Sequence, residues 1–109
     1  MKNDSYLFLW DRISKIVRNY TKGMEVVADE PGNLRVEANN GRPFVCVSIQ
    51  KKHVGIYLLP LYYHPETLPH TLYKNKSGKS TLRFKSKEEF SVKDIERLIE
   101  NCLAVIGHY

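Results

Sequence analysis

The chain has 109 residues, of which 42% are hydrophobic and 27% are charged, and this composition excludes a disordered segment or a fibrous repeat. A single domain of this length buries roughly two-thirds of the surface that its unfolded chain exposes, so it needs no disulfide or metal to fold. No run approaches the ~20 apolar residues of a membrane span, and the amino terminus lacks the features of a secretory signal, so we expect a cytoplasmic protein without membrane contact.

The net charge of +5 is distributed unevenly along the chain. Between Lys51 and Lys87 there are eight basic residues and a single acid, Glu66. A basic segment of this kind attracts nucleic acid, anionic metabolites or an acidic protein partner. The alternative interpretation is a solvated lysine-rich surface that only keeps the protein soluble.

Residues 4–20 carry apolar side chains at the three- and four-residue spacing of one helical face. The predicted buried stripe consists of Tyr6, Leu9, Trp10, Ile13, Ile16, Val17 and Tyr20. Asp4 is the predicted N-cap, and Gly23 stands where a left-handed residue ends a helix. Leu7 and Phe8 fall outside the stripe, which indicates either a wider core face or a contact with a second element or a second chain, as in a homodimer.

Two short alternating runs, residues 24–28 and 34–38, flank a turn that contains Pro31-Gly32. Proline followed by glycine between alternating segments predicts a hairpin. In the second run, the residues predicted to face the core are Leu34, Val36 and Ala38. A second turn at residues 39–42 contains Asn-Gly, which is typical of hairpins.

The densest run of β-branched and aromatic residues predicts two central strands, 44–50 and 53–59, joined by Lys51-Lys52. Strand alternation gives one apolar face, made of Val45, Val47, Ile49, Val54, Ile56 and Leu58. The opposite face is mixed and consists of Phe44, Cys46, Ser48, His53, Gly55, Tyr57 and Leu59. A mixed face suits a ligand groove, a covering loop or a dimer contact.

Residues 60–79 contain two X-Pro steps and little periodicity, which predicts an irregular segment with a short helix or turn at residues 66–73. Long irregular segments in small domains are often functional. Residues 80–85 alternate again and predict a fifth strand, with Leu82 and Phe84 facing inward.

The closing helix carries a strong amino-terminal signal: Ser91 as N-cap, Asp94 three residues later, and Phe90 positioned to pack against Ile95. We expect Gly107 to end it. Its predicted buried stripe is Ile95, Leu98, Ile99, Cys102 and Ile106. Together the elements predict an α+β domain in which an antiparallel sheet of about five strands carries the amino- and carboxyl-terminal helices on one face.

The two cysteines lie far apart in the predicted elements, Cys46 in a strand and Cys102 in a helix. We interpret both as small buried residues of a reducing compartment, with a disulfide between them as the alternative.

Residues 52–60 read KHVGIYLLP, residues 78–84 read GKSTLRF, and an amphipathic helix closes the chain. In this order the segments resemble the YdhG-like family of small bacterial α+β domains of unknown function, over about residues 40–106. The resemblance implies an antiparallel sheet with helices on one face and a second face partly open. Some relatives are described as frataxin-like iron chaperones, but such iron surfaces are rows of carboxylates, whereas this central region holds only Glu66.

Metal-ligand residue types cluster only at His64, Glu66 and His70, and their spacing matches no established zinc or iron pattern. No phosphate loop, nucleophile elbow or paired-carboxylate signature is present, so we expect neither enzymatic activity nor a cofactor.

The leading hypothesis is a binding module whose mixed sheet face and 60–80 segment receive a small anionic ligand or a protein partner. The candidate ligand-binding residues are Phe44, His53, Tyr57, Lys79 and Arg83. The alternative is weak binding of nucleic acid by the basic 51–87 region, where Tyr57, Tyr62, Tyr63 and Tyr73 interleave with lysines and arginine. Carriage of iron or another metal through His64, Glu66 and His70 is the third and least favoured hypothesis.

Overall fold

The chain forms a five-stranded antiparallel sheet flanked by an amino-terminal and a carboxyl-terminal helix, and the computed structural model describes residues 2–86 and 91–108. The helices are α1 (Lys2–Tyr20), α2 (Leu59–Tyr63) and α3 (Val92–Leu103). The strands are β1 (Glu25–Glu30), β2 (Asn33–Glu37), β3 (Pro43–Ile49), β4 (Val54–Leu58) and β5 (Thr81–Phe84). They pair in chain order, which confirms the predicted α+β class.

One face of the sheet is covered because α1 packs across β3 and β4 and also against α3. The predicted stripe of α1 is confirmed: Ile13 and Val17 are fully buried, while Tyr6 and Tyr20 pack at its margin. Trp10 Nε1 donates a buried hydrogen bond of 2.8 Å to the carbonyl oxygen of Val47 in β3. This bond fixes the register of α1 on the sheet.

The start of α1 differs from the prediction. The helix begins at Lys2, so Asp4 lies inside its first turn and is not the N-cap. Leu7 and Phe8 remain 40% and 78% exposed, so the wider-core interpretation is wrong. Contact with a second chain at these residues stays a prediction. Gly23 has the expected left-handed backbone, with φ of +89°, just after the helix ends.

An irregularity at the start of β3 changes the position of Phe44. Val36 pairs with Val45, but Glu37 pairs with Pro43, so Phe44 is an extra residue in the ladder. As a result Phe44 and its neighbour Val45 are both buried, at 0% and 2% exposure. The prediction that Phe44 lies on the mixed face is therefore wrong.

The segment after β4 is more ordered than predicted. It contains α2 and two short 3₁₀ turns, Pro65–Thr67 and His70–Asn75. Pro60 lies in the first turn of α2, where its missing amide hydrogen costs nothing. Buried side chains tie the segment to the core; they are Leu61, Thr67, Leu68, Leu72 and Asn75. The short helical turn expected at residues 66–73 is confirmed in part, and the long irregular loop is not found.

At the start of α3, the Asp94 amide donates to Ser91 Oγ at 3.3 Å, so the predicted N-cap is confirmed. Phe90, the predicted packing partner of Ile95, lies outside the described residues. The stripe through Ile95 is buried as expected, but α3 ends at Leu103, before Gly107. Within the described ranges, no helix is both long and apolar enough to cross a membrane.

Candidate functional site

The sheet face opposite the helices holds a groove with a volume of about 520 Å³. We call it the open-face groove; its polar lining includes Arg35, Cys46, Ser48, His53, Tyr57 and Arg83. This volume lies within the usual range of small-molecule sites, about 300–1,000 Å³.

Strand register explains why these side chains meet. One row across β2 to β5 consists of Arg35, Cys46, Tyr57 and Thr81, and the next consists of Asn33, Ser48, Gly55 and Arg83. Directly paired residues point to the same side of a sheet, so each row presents its side chains to one face. Small residues in the centre of the second row leave open space between Asn33 and Arg83.

Gly55 contributes to the groove by having no side chain. A Cβ built on Gly55 would lie 3.8 Å from the imidazole of His53 and 3.9 Å from Cγ of Gln50, both ordinary contacts. Its backbone is not among the left-handed glycines of the chain. Neither backbone strain nor close packing therefore requires glycine at this position, and its effect is to leave the floor of the groove open.

The groove is positively charged at one end. The pKa of His53 is lowered, first because partial burial disfavours the imidazolium and then because Arg83 and Lys85 repel a further positive charge. Glu37 is the acid of the groove lining, and it lies two rows from Asn33, about 13 Å along β2. Within the described part of the chain, neither Arg35 nor Arg83 pairs with a carboxylate. Arg35 on β2 and Arg83 on β5 are three strand spacings apart, about 14 Å, so they lie on opposite sides of the groove. An anion beside Arg83 would meet a guanidinium that no carboxylate of the described residues neutralises.

The structure brings together three of the five predicted ligand residues. His53, Tyr57 and Arg83 line the groove. Phe44 is buried in the core, as described above. Lys79 does not line the groove, and its ammonium lies 5.6 Å from the ring centre of Tyr62.

Sequence reasoning did not identify Arg35 as a groove residue. The available signal was alternation in β2, which puts Arg35 on the face opposite Leu34 and Val36. The four tyrosines also do not share one surface. Tyr57 lies in the groove, whereas Tyr62, Tyr63 and Tyr73 are about half exposed on the segment after β4.

The metal candidates have other contacts. His64 Nδ1 lies 3.2 Å from Glu66 Oε2, and His64 Nε2 lies 3.1 Å from the carbonyl oxygen of His108. His70 packs edge-on against Tyr73 at 5.1 Å between ring centres. Among the residues that the structure describes, no three His, Cys, Asp or Glu side chains form a group able to hold a metal ion.

The two cysteines occupy contrasting sites as free thiols. Cys46 is half-buried in the open-face groove, with Sγ 4.0 Å from Asn33 Oδ1. Cys102 is fully buried on the inner side of α3, and burial raises its pKa to about 11 although its thiol donates a hydrogen bond to Thr67 Oγ1 at 3.7 Å. The thiol of Cys46 is accessible from the groove, whereas that of Cys102 is part of the core.

Comparisons with known proteins found no relative of this chain. No protein-family model, curated protein or solved structure matches the chain.

Proposed function

We propose that this protein is a non-enzymatic binding module that holds a small anionic ligand in the open-face groove. The observation that carries the proposal is that two arginines, Arg35 on β2 and Arg83 on β5, line opposite sides of a groove of about 520 Å³ without carboxylate partners in the described residues. Guanidinium groups bind carboxylates and phosphates through paired hydrogen bonds, which suits this ligand class.

His53 supports the same ligand class. Partial burial lowers its pKa first, and Arg83 and Lys85 lower it further because they repel its charged form. A bound anion would offset this repulsion and raise the pKa of His53. By reciprocity, the anion would bind more tightly as the pH falls through the titration of His53.

Binding is favoured over catalysis because the groove lacks an activated nucleophile. Cys46 Sγ contacts Asn33, and within the described residues no hydrogen bond joins Cys46 to His53. A nucleophilic cysteine needs a base within reach or a depressed pKa.

The YdhG-like resemblance and a cytoplasmic location remain predictions. The two short sequence segments that carry the resemblance span β4 and β5, the strands that hold Tyr57 and Arg83. If the family assignment is correct, the open-face groove is the part of this chain in which to look for the family's ligand.

The test is thermal unfolding of the purified protein with inorganic phosphate, citrate and a nucleoside monophosphate, since a ligand of the folded state raises the unfolding temperature. Arg83→Gln should weaken any stabilising anion about 10- to 100-fold, the range expected for loss of a charge-assisted hydrogen bond. Arg97→Gln on α3 is the matched control and should leave the affinity unchanged.

A second variant tests the shape of the groove. Gly55→Val should keep the fold, because the backbone is not left-handed and the first added carbon has ordinary contacts. Its side chain should fill the floor and abolish binding of the anion. If none of the three anions stabilises the protein, or if Arg83→Gln and Arg97→Gln behave alike, the proposal is wrong and a protein partner becomes the better hypothesis for this face.

A further inference from the structure

A second candidate surface lies beside the groove, on α2. Leu61 and Pro60 are buried against the core, and this anchoring leaves the next two residues, Tyr62 and Tyr63, pointing outward. Their rings are 49% and 48% exposed and pack edge to face at 5.1 Å between centres, with an interplanar angle of 73°. Two adjacent half-exposed rings form a patch of aromatic surface that the core does not cover.

A cation from another part of the chain lies over each of the two rings. The Lys79 ammonium lies 5.6 Å from the centre of Tyr62, and the Arg42 guanidinium lies 5.5 Å from the centre of Tyr63. Arg42 Nη2 also donates to the hydroxyl oxygen of Tyr63 at 3.3 Å. We call these four residues the tyrosine ridge. Cation–π contacts hold both positive charges beside the rings; Lys79 is exposed, and Arg42 is partly buried.

The segment that carries Tyr62 and Lys79 contains few acids. From residue 59 to residue 86 the only acid is Glu66, and its carboxylate contacts His64. Within the same range Lys74 and Lys76 add positive charge, and Tyr73 is a further half-exposed ring. Exposed rings among cations, with the nearby acid already engaged, are complementary to a ligand that combines flat apolar groups with repeated negative charges.

The ridge continues toward the open-face groove. The groove lining includes Pro43, Ser77 and Thr81. Pro43 directly follows Arg42, and Ser77 and Thr81 flank Lys79 in the chain. A chain-like ligand that crosses the ridge can therefore extend along the end of the groove.

We propose that the tyrosine ridge binds single-stranded nucleic acid, with bases stacking on Tyr62 and Tyr63 and phosphates contacting Lys79 and Arg42. Unpaired bases expose the flat faces that such stacking needs, whereas a duplex hides them. The repeated phosphate charge accounts for the cations at both rings. A protein partner would also use exposed tyrosines, but the excess of positive charge in residues 59–86 favours a polyanion.

The test is fluorescence anisotropy with labelled oligo(dT) and oligo(U) of about a dozen nucleotides, long enough to cover a small domain. Both single strands should bind, and a duplex of the same length should bind more weakly. Comparison of the two sugars separates DNA from RNA. The double variant Tyr62→Ser, Tyr63→Ser should weaken binding about tenfold or more for each ring removed. Phe8→Ser on α1 is the matched control, because Phe8 is 78% exposed and lies outside the ridge.

Charge is tested separately by salt dependence. Lys79→Ala should reduce the slope of log affinity against log salt by about 0.7, the value for one phosphate contact to a single strand. Lys22→Ala, an exposed lysine outside the ridge, should leave the slope unchanged. In the unaltered protein, backbone amide shifts on adding oligo(dT) should be largest at residues 42, 62, 63 and 79, and this readout does not depend on the folding of any variant.

The proposal is overturned if the single strands do not bind, if the duplex binds equally well, or if the double tyrosine variant behaves like Phe8→Ser. Heparin is a polyanion without bases and competes only for the charged contacts. If it displaces the oligonucleotide equally well from the wild type and from the double tyrosine variant, charge alone explains the interaction and the proposal is contradicted. The ridge and the groove are distinguishable, because Gly55→Val should abolish binding of small anions and leave stacking on the ridge intact.

Discussion

The two faces of the sheet differ sharply although they share the same strands. On β5, Phe84 faces the helices and is fully buried, while the preceding residue, Arg83, faces the open-face groove. On β4, Ile56 is fully buried and Tyr57 is only partly so. The covered face is continuous and apolar, and the other carries cations, a thiol and a gap at Gly55. The buried apolar side chains therefore lie on one side of the sheet, and the charged and polar side chains lie on the other.

The largest contrast between the faces should appear in thiol reactivity. At pH 8, a thiol with a pKa of about 11, as for Cys102, is ionised to only about one part in a thousand. An accessible ordinary thiol, with a pKa of about 8.5, is ionised to roughly a quarter at that pH, so the difference in ionisation alone should slow Cys102 at least about a hundredfold, and its full burial should slow it further. Alkylation followed by mass spectrometry of the two peptides measures both rates. Both thiols should react rapidly in urea, and equal rates in the folded protein would contradict the contrast.

The next effect is on stability, from adjacent residues of β5. Phe84→Ala should lower the free energy of unfolding by about 3–5 kcal/mol, because it removes a fully buried ring and leaves a cavity. Arg83→Gln should change the free energy of unfolding by no more than about 0.5 kcal/mol. Urea unfolding compares the two variants. Similar losses would mean that the open face also carries the fold.

A smaller effect should follow from cutting the contact between α1 and β3. Trp10→Phe keeps most of the apolar packing but removes the 2.8 Å bond to the Val47 carbonyl. The expected cost is about 1–3 kcal/mol in the free energy of unfolding. Tyr57→Phe is the open-face control, because the Tyr57 hydroxyl has no hydrogen-bond partner among the described residues. Tyr57→Phe should change the free energy of unfolding by no more than about 0.5 kcal/mol. If it costs as much as Trp10→Phe, the two faces do not differ in their contribution to stability.

The smallest effect is the pH dependence caused by His53. Its pKa is lowered in the folded protein, so the unfolded chain takes up the proton more readily. Stability should therefore fall as the pH decreases below the ordinary histidine pKa of about 6.5, and this contribution should be absent above that pH. Unfolding midpoints of His53→Asn, from about pH 7.5 to about pH 5, should show a weaker decline than wild type. His70→Asn should decline as wild type does, and identical curves for all three proteins would place His53 outside the field of Arg83.

Most of the fold was predictable because its signals are local. The α1 stripe, the Pro31-Gly32 turn and the Ser91 cap each depend on a few neighbouring residues. The end of α3 was predicted less well, since Gly107 has the expected positive φ while the helix stops at Leu103. Helix α2 was missed because the X-Pro steps at Pro65 and Pro69 predicted an irregular segment, although Pro60 fits the first turn of a helix.

The candidate site was predicted only in part, because its geometry depends on pairing between distant segments. Arg83, Tyr57 and His53 were found from alternation in β4 and β5. Phe44 was misplaced because the extra residue in β3 is defined only by its pairing with β2. Lys79 was assigned to the groove, whereas its contact with Tyr62 results from the path of the segment after β4.

The sequence by itself determined the class of the fold, the succession of helices and strands along the chain and the apolar face of the central pair, because periodicity and turn chemistry act over a few residues. Only the tertiary structure decided which polar residues share a surface. It brought Arg35 into one row with Tyr57, moved Phe44 into the core, and separated the groove from the tyrosine ridge. The physical reason is that register and packing join residues far apart in the chain, and no local pattern specifies those distances.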